Sequence, residues 1–284
     1  MNTTKIPADY FPKHFRFFIP TNSNRPHTTI IDGSVYDHPK LYDTLFAVEW
    51  KKEIEFLNAC FQRHRSVAAS RIFEPACGTG RLLWRLAKQG FEVAGLDLNP
   101  HSVAFCNRRL RKHGLPETAF VGDMTDFRLE KPVDAAFNLV SSFLHLTTES
   151  LAGEHLRRMA AALRPKGLYL LGFHLVPKGK ASCSREAWKT SRGSLTVQSM
   201  LRQTSVDFAE RLARIEFRIQ ATTPTKIYEL IDTFPMRTYT AAQFHQLLTD
   251  IALFDVLETF DFGLDDPIQV DETTEDVVFV LQKR

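Results

Sequence analysis

Between residues 70 and 174 short apolar runs alternate with segments of helical period. Ser70–Glu74, Glu92–Asp97, Thr118–Val121, Val133–Val140 and Leu168–Phe173 read as five strands. Arg81–Gln89, Asn99–His113 and Glu149–Leu163 read as the helices between them. Gly90 ends the first helix. Asn99-Pro100 gives the second an N-cap and a proline at its first position. Leu156, Met159, Ala160 and Leu163 share one face of the third. Upstream, Trp50, Ile54, Leu57 and Phe61 form the stripe of an amphipathic helix. Such alternation predicts a parallel sheet with helices on both faces.

The pattern changes after His174. Ser194–Val206, Leu212–Ala221 and Lys226–Arg237 are long and rich in Val, Ile, Thr and Phe, with no helix signal between them. They predict an antiparallel sheet inserted after the fifth strand. Thr240-Ala241-Ala242-Gln243 is a capping box opening a helix through Leu248. Phe254–Phe262 and Val277–Gln282 then close the chain as an antiparallel pair, which makes seven core strands. Residues 1–35 show no periodicity. Their aromatic and basic cluster, Phe11 to Phe18, reads as a surface arm, with a flap over the site or a homodimer contact as alternatives.

Composition narrows the class. The 284 residues are 44% hydrophobic, ample for a sizeable core. A net charge of +3 is too small for a nucleic-acid footprint, so no nucleic-acid partner is expected. Cys60, Cys77, Cys106 and Cys183 are widely spaced and read as reduced thiols. No apolar run approaches the ~20 residues of a membrane span, and Met1 to Tyr10 lack the features of a secretion signal. A soluble, cytoplasmic protein with a small-molecule substrate is the expectation, with no membrane partner and no metal.

The chemistry concentrates between Ile72 and Pro100: a strand ending in Glu74, a turn with Gly78 and Gly80, a helix, and a strand ending in Asp97. Glycines there allow close backbone approach, and Asp97 is placed to accept from both hydroxyls of a ribose. A dinucleotide fingerprint needs a third glycine where Leu83 stands. Glu74 would be unwelcome beside a pyrophosphate but suits a cation.

Glu74-Pro75-Ala76-Cys77-Gly78-Thr79-Gly80 resembles the first motif, acid-x-G-x-G-x-G, of the class I S-adenosylmethionine-dependent methyltransferases, with Ala76 replacing the first glycine. Leu41-Tyr42-Asp43, Gly122-Asp123-Met124, Ser142-Phe143-Leu144-His145-Leu146 and Leu163-Arg164-Pro165 extend the likeness toward bacterial small-molecule enzymes such as glycine and amino-sugar N-methyltransferases. The resemblance implies an α/β fold, a Rossmann-like seven-stranded sheet with helices on both faces and the antiparallel insertion. It divides the chain into an arm (1–39), an S-adenosylmethionine-binding domain (40–174 and 240–284) and an inserted β-rich substrate subdomain (175–239). It implies that Glu74, Ala76, Gly78, Gly80, Arg81, Asp97, Leu98, Asp123, Met124 and Asn138 bind S-adenosyl-L-methionine, Asp123 accepting from the adenine amino group.

Past the fourth strand, His145 lies where a methyl acceptor should sit, and its ordinary pKa suits a base. Tyr42, with Tyr36, would close the site from the N-terminal side, and Ser142, with Ser141, could hydrogen-bond the acceptor. Each residue also has a plainer reading: a helix-capping histidine, aromatic packing, turn serines. Val140-Ser141-Ser142 is no Asn-Pro-Pro-aromatic run, so adenine methylation is disfavoured. No Pro-Cys nucleophile for pyrimidine C5 occurs, nor an acid between Val140 and Leu146 for a metal-dependent enzyme. The expected activity is methyl transfer to an amine. The alternatives are O-methylation of a carboxylate or hydroxyl, or a non-catalytic protein that binds the cofactor. The insertion is expected to wall or roof the acceptor pocket, with Arg185, Trp188 and Arg192 as candidate contacts.

Overall fold

A computed structural model of the protein describes residues 27–46, 50–64, 69–178 and 185–284. The aromatic and basic cluster at 11–18 and Cys183 lie outside the described residues. Cys60, Cys77 and Cys106 are free and buried.

Seven strands form a mixed sheet: β2 (Arg71–Pro75), β3 (Glu92–Asp97), β4 (Ala119–Val121), β5 (Val133–Asn138), β6 (Leu163–His174), β11 (Phe254–Phe260) and β12 (Asp276–Lys283). Their spatial order is β11-β12-β6-β5-β2-β3-β4. The five strands from β6 to β4 are parallel, and β12 runs antiparallel to both its neighbours. Chain order reverses on either side of β2, so the strand ends around Pro75 and Asn138 face the crevice where open α/β sheets bind ligands.

Strand alternation divides the core. Ile72, Ala135, Phe137, Leu168 and Leu170 pack with α2 (Trp50–His64), α3 (Leu83–Lys88) and α4 (Pro100–Lys112). Phe73, Ala136, Tyr169, Leu171 and Phe173 point the other way, to α5 (Glu149–Ala162) and α6 (Ala241–Ile251). Asn99 caps α4 by accepting from the His101 and Ser102 N–H groups, and the Thr240–Gln243 capping box is formed. One boundary moved: α5 ends at Ala162, and β6 starts at Leu163 rather than Leu168, taking Lys166 through φ 60°. The run Arg164 to Gly167 therefore belongs to the start of β6.

A second sheet, ordered β1-β10-β9-β8-β7, joins β7 (Arg185–Arg192), β8 (Leu195–Asp207), β9 (Leu212–Thr222) and β10 (Lys226–Arg237) in antiparallel pairs. Its remaining strand, β1 (His27–Ile30), comes from the start of the chain and pairs in parallel with β10. That segment carries no periodicity and so was not expected in a sheet. Val35 and Leu45 sit against Val197, Phe217, Ile219 and Leu230, so α1 (Pro39–Phe46) lies on this sheet.

Asp43 joins the two sheets. It is 0% exposed. It accepts from Thr79 Oγ1 at 2.9 Å, from Arg109 Nη2 at 2.6 Å and from Arg192 Nη1 at 2.8 Å. Arg192, expected at an acceptor pocket, is therefore committed to this carboxylate. Burial alone would raise the Asp43 pKa, but the hydrogen bonds and charge of Arg109, with Arg192 and Thr79, bring it below the ordinary value.

Removing one partner of a buried pair costs about 3–5 kcal/mol, so Asp43→Ala should destabilise the fold on that scale. Asp43→Asn, which keeps the shape, should cost less. Because the folded pKa is depressed, the carboxylate's contribution is complete above ~4 and lost as pH falls through the folded value. Urea unfolding from pH 3 to 8 reads both effects; an Asp43→Ala midpoint equal to wild type would remove Asp43 from this role.

Candidate functional site

The residues around the glycine turn, the ends of β3 and β5 and the turn at Ser34–Asp37 line one cavity of about 610 Å³. Glu74, Ala76, Gly78, Arg81, Asp97, Leu98, Asp123, Met124 and Asn138 line it, as do Tyr42, Ser142 and His145. Gly80 does not. It is needed for the turn instead: φ is 64°, and a Cβ there would fall 2.2 Å from Cys106 Sγ on α4. Ala76 occupies φ 53°, the left-handed region that costs an L-residue about 1–2 kcal/mol. The replaced glycine thus leaves backbone strain as well as an extra methyl.

Three acids and an amide define the wall. Asp97 Oδ2 accepts from the Gly78 N–H at 2.7 Å and Oδ1 from the Asn99 N–H at 2.8 Å, which ties the glycine turn to the end of β3. Each oxygen keeps a second lone pair for a hydroxyl donor. Burial raises the Asp97 pKa despite these bonds. Asp123 is exposed and lines the cavity, and its Oδ1 accepts from both the N–H and the hydroxyl of Thr125 at 2.7 Å, which holds one oxygen in a turn. Glu74 is buried, and its Oε2 has no hydrogen-bond partner among the described residues. Burial pushes its pKa well above the carboxylate range, against the lowering charge of Arg81. Arg81 itself is forked onto Glu53. Asn138 donates to Pro75 O at 2.8 Å and leaves Oδ1 buried without a donor among the described residues. Two orphaned acceptors in one wall are matched by a ligand that brings donors and positive charge.

The backbone at Met124 is fixed from behind. His155 Nδ1 lies 2.9 Å from Met124 O, and its Nε2 lies 2.8 Å from the Tyr169 hydroxyl. Because a carbonyl only accepts, Nδ1 carries the proton and Tyr169 donates to Nε2. Burial keeps this ring neutral, its pKa lowered to about 4.

The far side of the cavity is aromatic. Ser142 to His145 form a 3-10 turn entered through Ser141 at φ 54°. His145 Nε2 lies 2.8 Å from the Tyr36 hydroxyl. Tyr36 and Tyr42 rings are 5.7 Å apart, and Tyr42 and Phe46 rings 4.6 Å. Burial lowers the His145 pKa, Asp232 opposing it, and burial raises that of Tyr36. The ring of His145 is a neutral base at pH 7.

Neither Arg185 nor Trp188 lines the cavity. Trp188 packs 5.6 Å from Phe46, and Arg185 Nε points to Met200 Sδ at 3.0 Å. The second sheet acts one layer back. Phe234 on β10 packs 5.1 Å from His145 and 6.0 Å from Tyr36. Asp232 accepts from Ser34 Oγ at 2.7 Å and from the Val35 N–H at 2.9 Å. Ser34, Phe46, Asp232 and Phe234 were missed in the sequence. Only Ser34 carried a signal, since Ser34-Val35-Tyr36-Asp37 has capping-box spacing and forms one.

Comparison with known proteins places this geometry. A family model for a methyltransferase domain matches residues 72–167. Over 137 residues the chain is 30% identical to a dTDP-3-amino-3,4,6-trideoxy-alpha-D-glucopyranose N,N-dimethyltransferase of Streptomyces venezuelae, covering 48% of this chain and 56% of that one. A dTDP-3-amino-3,6-dideoxy-alpha-D-glucopyranose N,N-dimethyltransferase of Streptomyces fradiae is 33% identical over 135 residues, covering 46% and 51%. The chain thus spans about half the length of the curated relatives it matches. Among solved structures, an S-adenosylmethionine-dependent methyltransferase from Clostridium acetobutylicum superposes with a TM-score of 0.73 at 14% identity, over 87% of this chain and 97% of that one. The sugar N-methyltransferase KedS8 from a Streptoalloteichus species gives 0.67 at 21% identity, over 88% and 94%. Residues 72–167 are accordingly a methyltransferase domain, and the seven-stranded sheet that carries them has the fold of the class I S-adenosylmethionine-dependent methyltransferases.

Proposed function

We propose that the protein transfers a methyl group from S-adenosyl-L-methionine to an amine of a small molecule. The observation that carries this reading is one cavity with orphaned acidic and amide oxygens on one side and a Tyr36–His145 pair on the other. Glu74 Oε2 and Asn138 Oδ1 would take the cofactor's ammonium, Asp97 its ribose hydroxyls and Asp123 its adenine amino group. Gly78, Arg81, Leu98, Met124 and Ala76 shape the bed between them. When bound, the cofactor supplies a sulfonium methyl already activated for in-line displacement.

The chain's own work is then alignment, exclusion of water and removal of a proton. An amine arriving as ammonium must lose its proton before its lone pair is available. The Tyr36 oxygen accepts that proton while its hydroxyl passes its own to His145 Nε2. Tyr42 and Phe46 keep the corner dry, and Ser142 offers an acceptor hydrogen bond. Residues 175–239 serve this corner from behind through Phe234 and Asp232, as a supporting rather than a contacting substrate subdomain. Similarity to sugar N,N-dimethyltransferases supports amine over oxygen acceptors.

Turnover to S-adenosylhomocysteine against a panel of small amines, amino sugars, phenols and carboxylic acids should show methylated nitrogen. Product confined to oxygen, or cofactor binding with no turnover on any acceptor, would overturn the reading. Tyr36→Phe and His145→Asn should each slow turnover by about 10²- to 10⁴-fold, the range for general-base loss, with the deficit greatest at low pH where the acceptor is protonated. Cofactor affinity should stay near wild type; rates within threefold of wild type from about pH 6 to 9, a factor of about 0.6 kcal/mol, would demote both residues.

Glu74 generates a separate expectation. Its folded pKa is raised, so its contribution to stability is full below the unfolded value of about 4.3 and falls as pH rises toward the folded value. A bound ammonium favours the carboxylate, so cofactor binding near pH 7 should release a proton, seen calorimetrically in buffers of different ionisation enthalpy. Glu74→Gln should abolish that release, flatten the fall of stability with pH and weaken binding by about ten- to hundred-fold. Unchanged affinity in a folded Glu74→Gln protein would take Glu74 out of the site.

A further inference from the structure

A second cavity, of about 430 Å³, lies over α3 and α4 and shares no lining residue with the first. Its walls carry Arg85, Arg108, Arg109, Lys112 and Arg192, and no carboxylate lines it among the described residues. Arg109 and Arg192 divide the single Asp43 carboxylate between them. Arg85, Arg108 and Lys112 make no ion pair among the described residues. Several positive charges thus converge with one buried negative charge behind them.

The site is built rather than a loose basic surface. The Arg85 guanidinium is clamped between two indoles, 4.1 Å from the Trp50 ring centre and 4.4 Å from that of Trp84. Trp84 stacks in turn on His113, with ring centres 4.1 Å apart and planes 6° from parallel. Arg85 Nε is buried and has no acceptor among the described residues. Burial first, then the charge of Arg109, pushes the Arg85 pKa down to about 10. A guanidinium held rigid, partly desolvated and repelled by its neighbours gains strongly from an anion, because no ordering remains to be done on binding.

We propose that this cavity binds a small diphosphate ligand through Arg85, Arg108, Arg109 and Lys112. Several cations around one open pocket suit two linked phosphates better than one, and planar guanidinium forks match phosphate oxygens. A polynucleotide is disfavoured by the net charge of +3 and by the confinement of the charges to a cavity. The inference is independent of methyl transfer.

The test is calorimetric titration of the full chain with inorganic pyrophosphate, beside orthophosphate, uridine diphosphate and a single-stranded oligonucleotide. Pyrophosphate should bind with a dissociation constant of about 1 mM or below, and more tightly than orthophosphate. Arg108→Gln/Lys112→Gln, at two exposed positions on α4, should weaken that binding by about tenfold or more with the thermal midpoint kept. Tighter binding of uridine diphosphate would assign the Trp84–His113 stack to a base, and equal affinity would assign the diphosphate alone; both support the site. It is overturned if pyrophosphate gives no saturable heat, binds no better than orthophosphate, binds the double variant equally well, or if only the oligonucleotide binds.

Discussion

One carboxylate with 0% exposure holds the architecture to its site. Asp43 lies on the helix that packs on the second sheet, yet its donors come from the glycine turn, from α4 and from β7. The Arg109 guanidinium closes the loop by also donating to Thr79 O at 3.0 Å. A charge at such depth is stable only because every bond is made. The geometry of the turn is therefore set partly by a residue more than a hundred positions away, Arg192. The second sheet is a structural partner of the cofactor side as well as a neighbour of the aromatic corner.

The cavity itself holds the opposite arrangement. Glu74 and Asn138 are left with buried acceptors unmet, and Ala76 is kept in a backbone region it disfavours. These features oppose folding and are tolerated because the well-packed sheet around them supplies the difference. A ligand with an ammonium and hydroxyls would satisfy groups that the folded chain leaves wanting. Ground-state discomfort of this kind makes binding selective for charge as well as shape.

Much of this was legible because the signals were local. β2, β3 and β5 carry short apolar centres flanked by polar residues, α4 has an asparagine cap and a proline, and Glu74 and Asp97 stand at strand ends. What escaped depends on distant partners. β7 reads Arg-Glu-Ala-Trp-Lys-Thr-Ser-Arg and buries only Ala187 and Thr190, as an edge strand can. β1 is four residues long and pairs with a strand at the other end of the second sheet's sequence. α1 is eight residues long, too short to declare itself by period. Arg192 showed its charge in the sequence but not its destination, which burial of Asp43 decides.

The placement of β1 also fixes an order of events. Thr28 pairs with Ile227, and Ser34 reaches Asp232 across 198 positions of sequence. The turn that follows β1 carries Tyr36 and is pinned to α4 as well, Asn99 Nδ2 donating to Asp37 at 2.6 Å. β1 is synthesised long before β10, so this pairing must wait until β10 has been made. Closing so long a loop is entropically slow and falls late in folding. The earliest-made part of the described chain thus reaches its place only once β10 is present, and the aromatic corner of the cavity is finished only when the strand has docked.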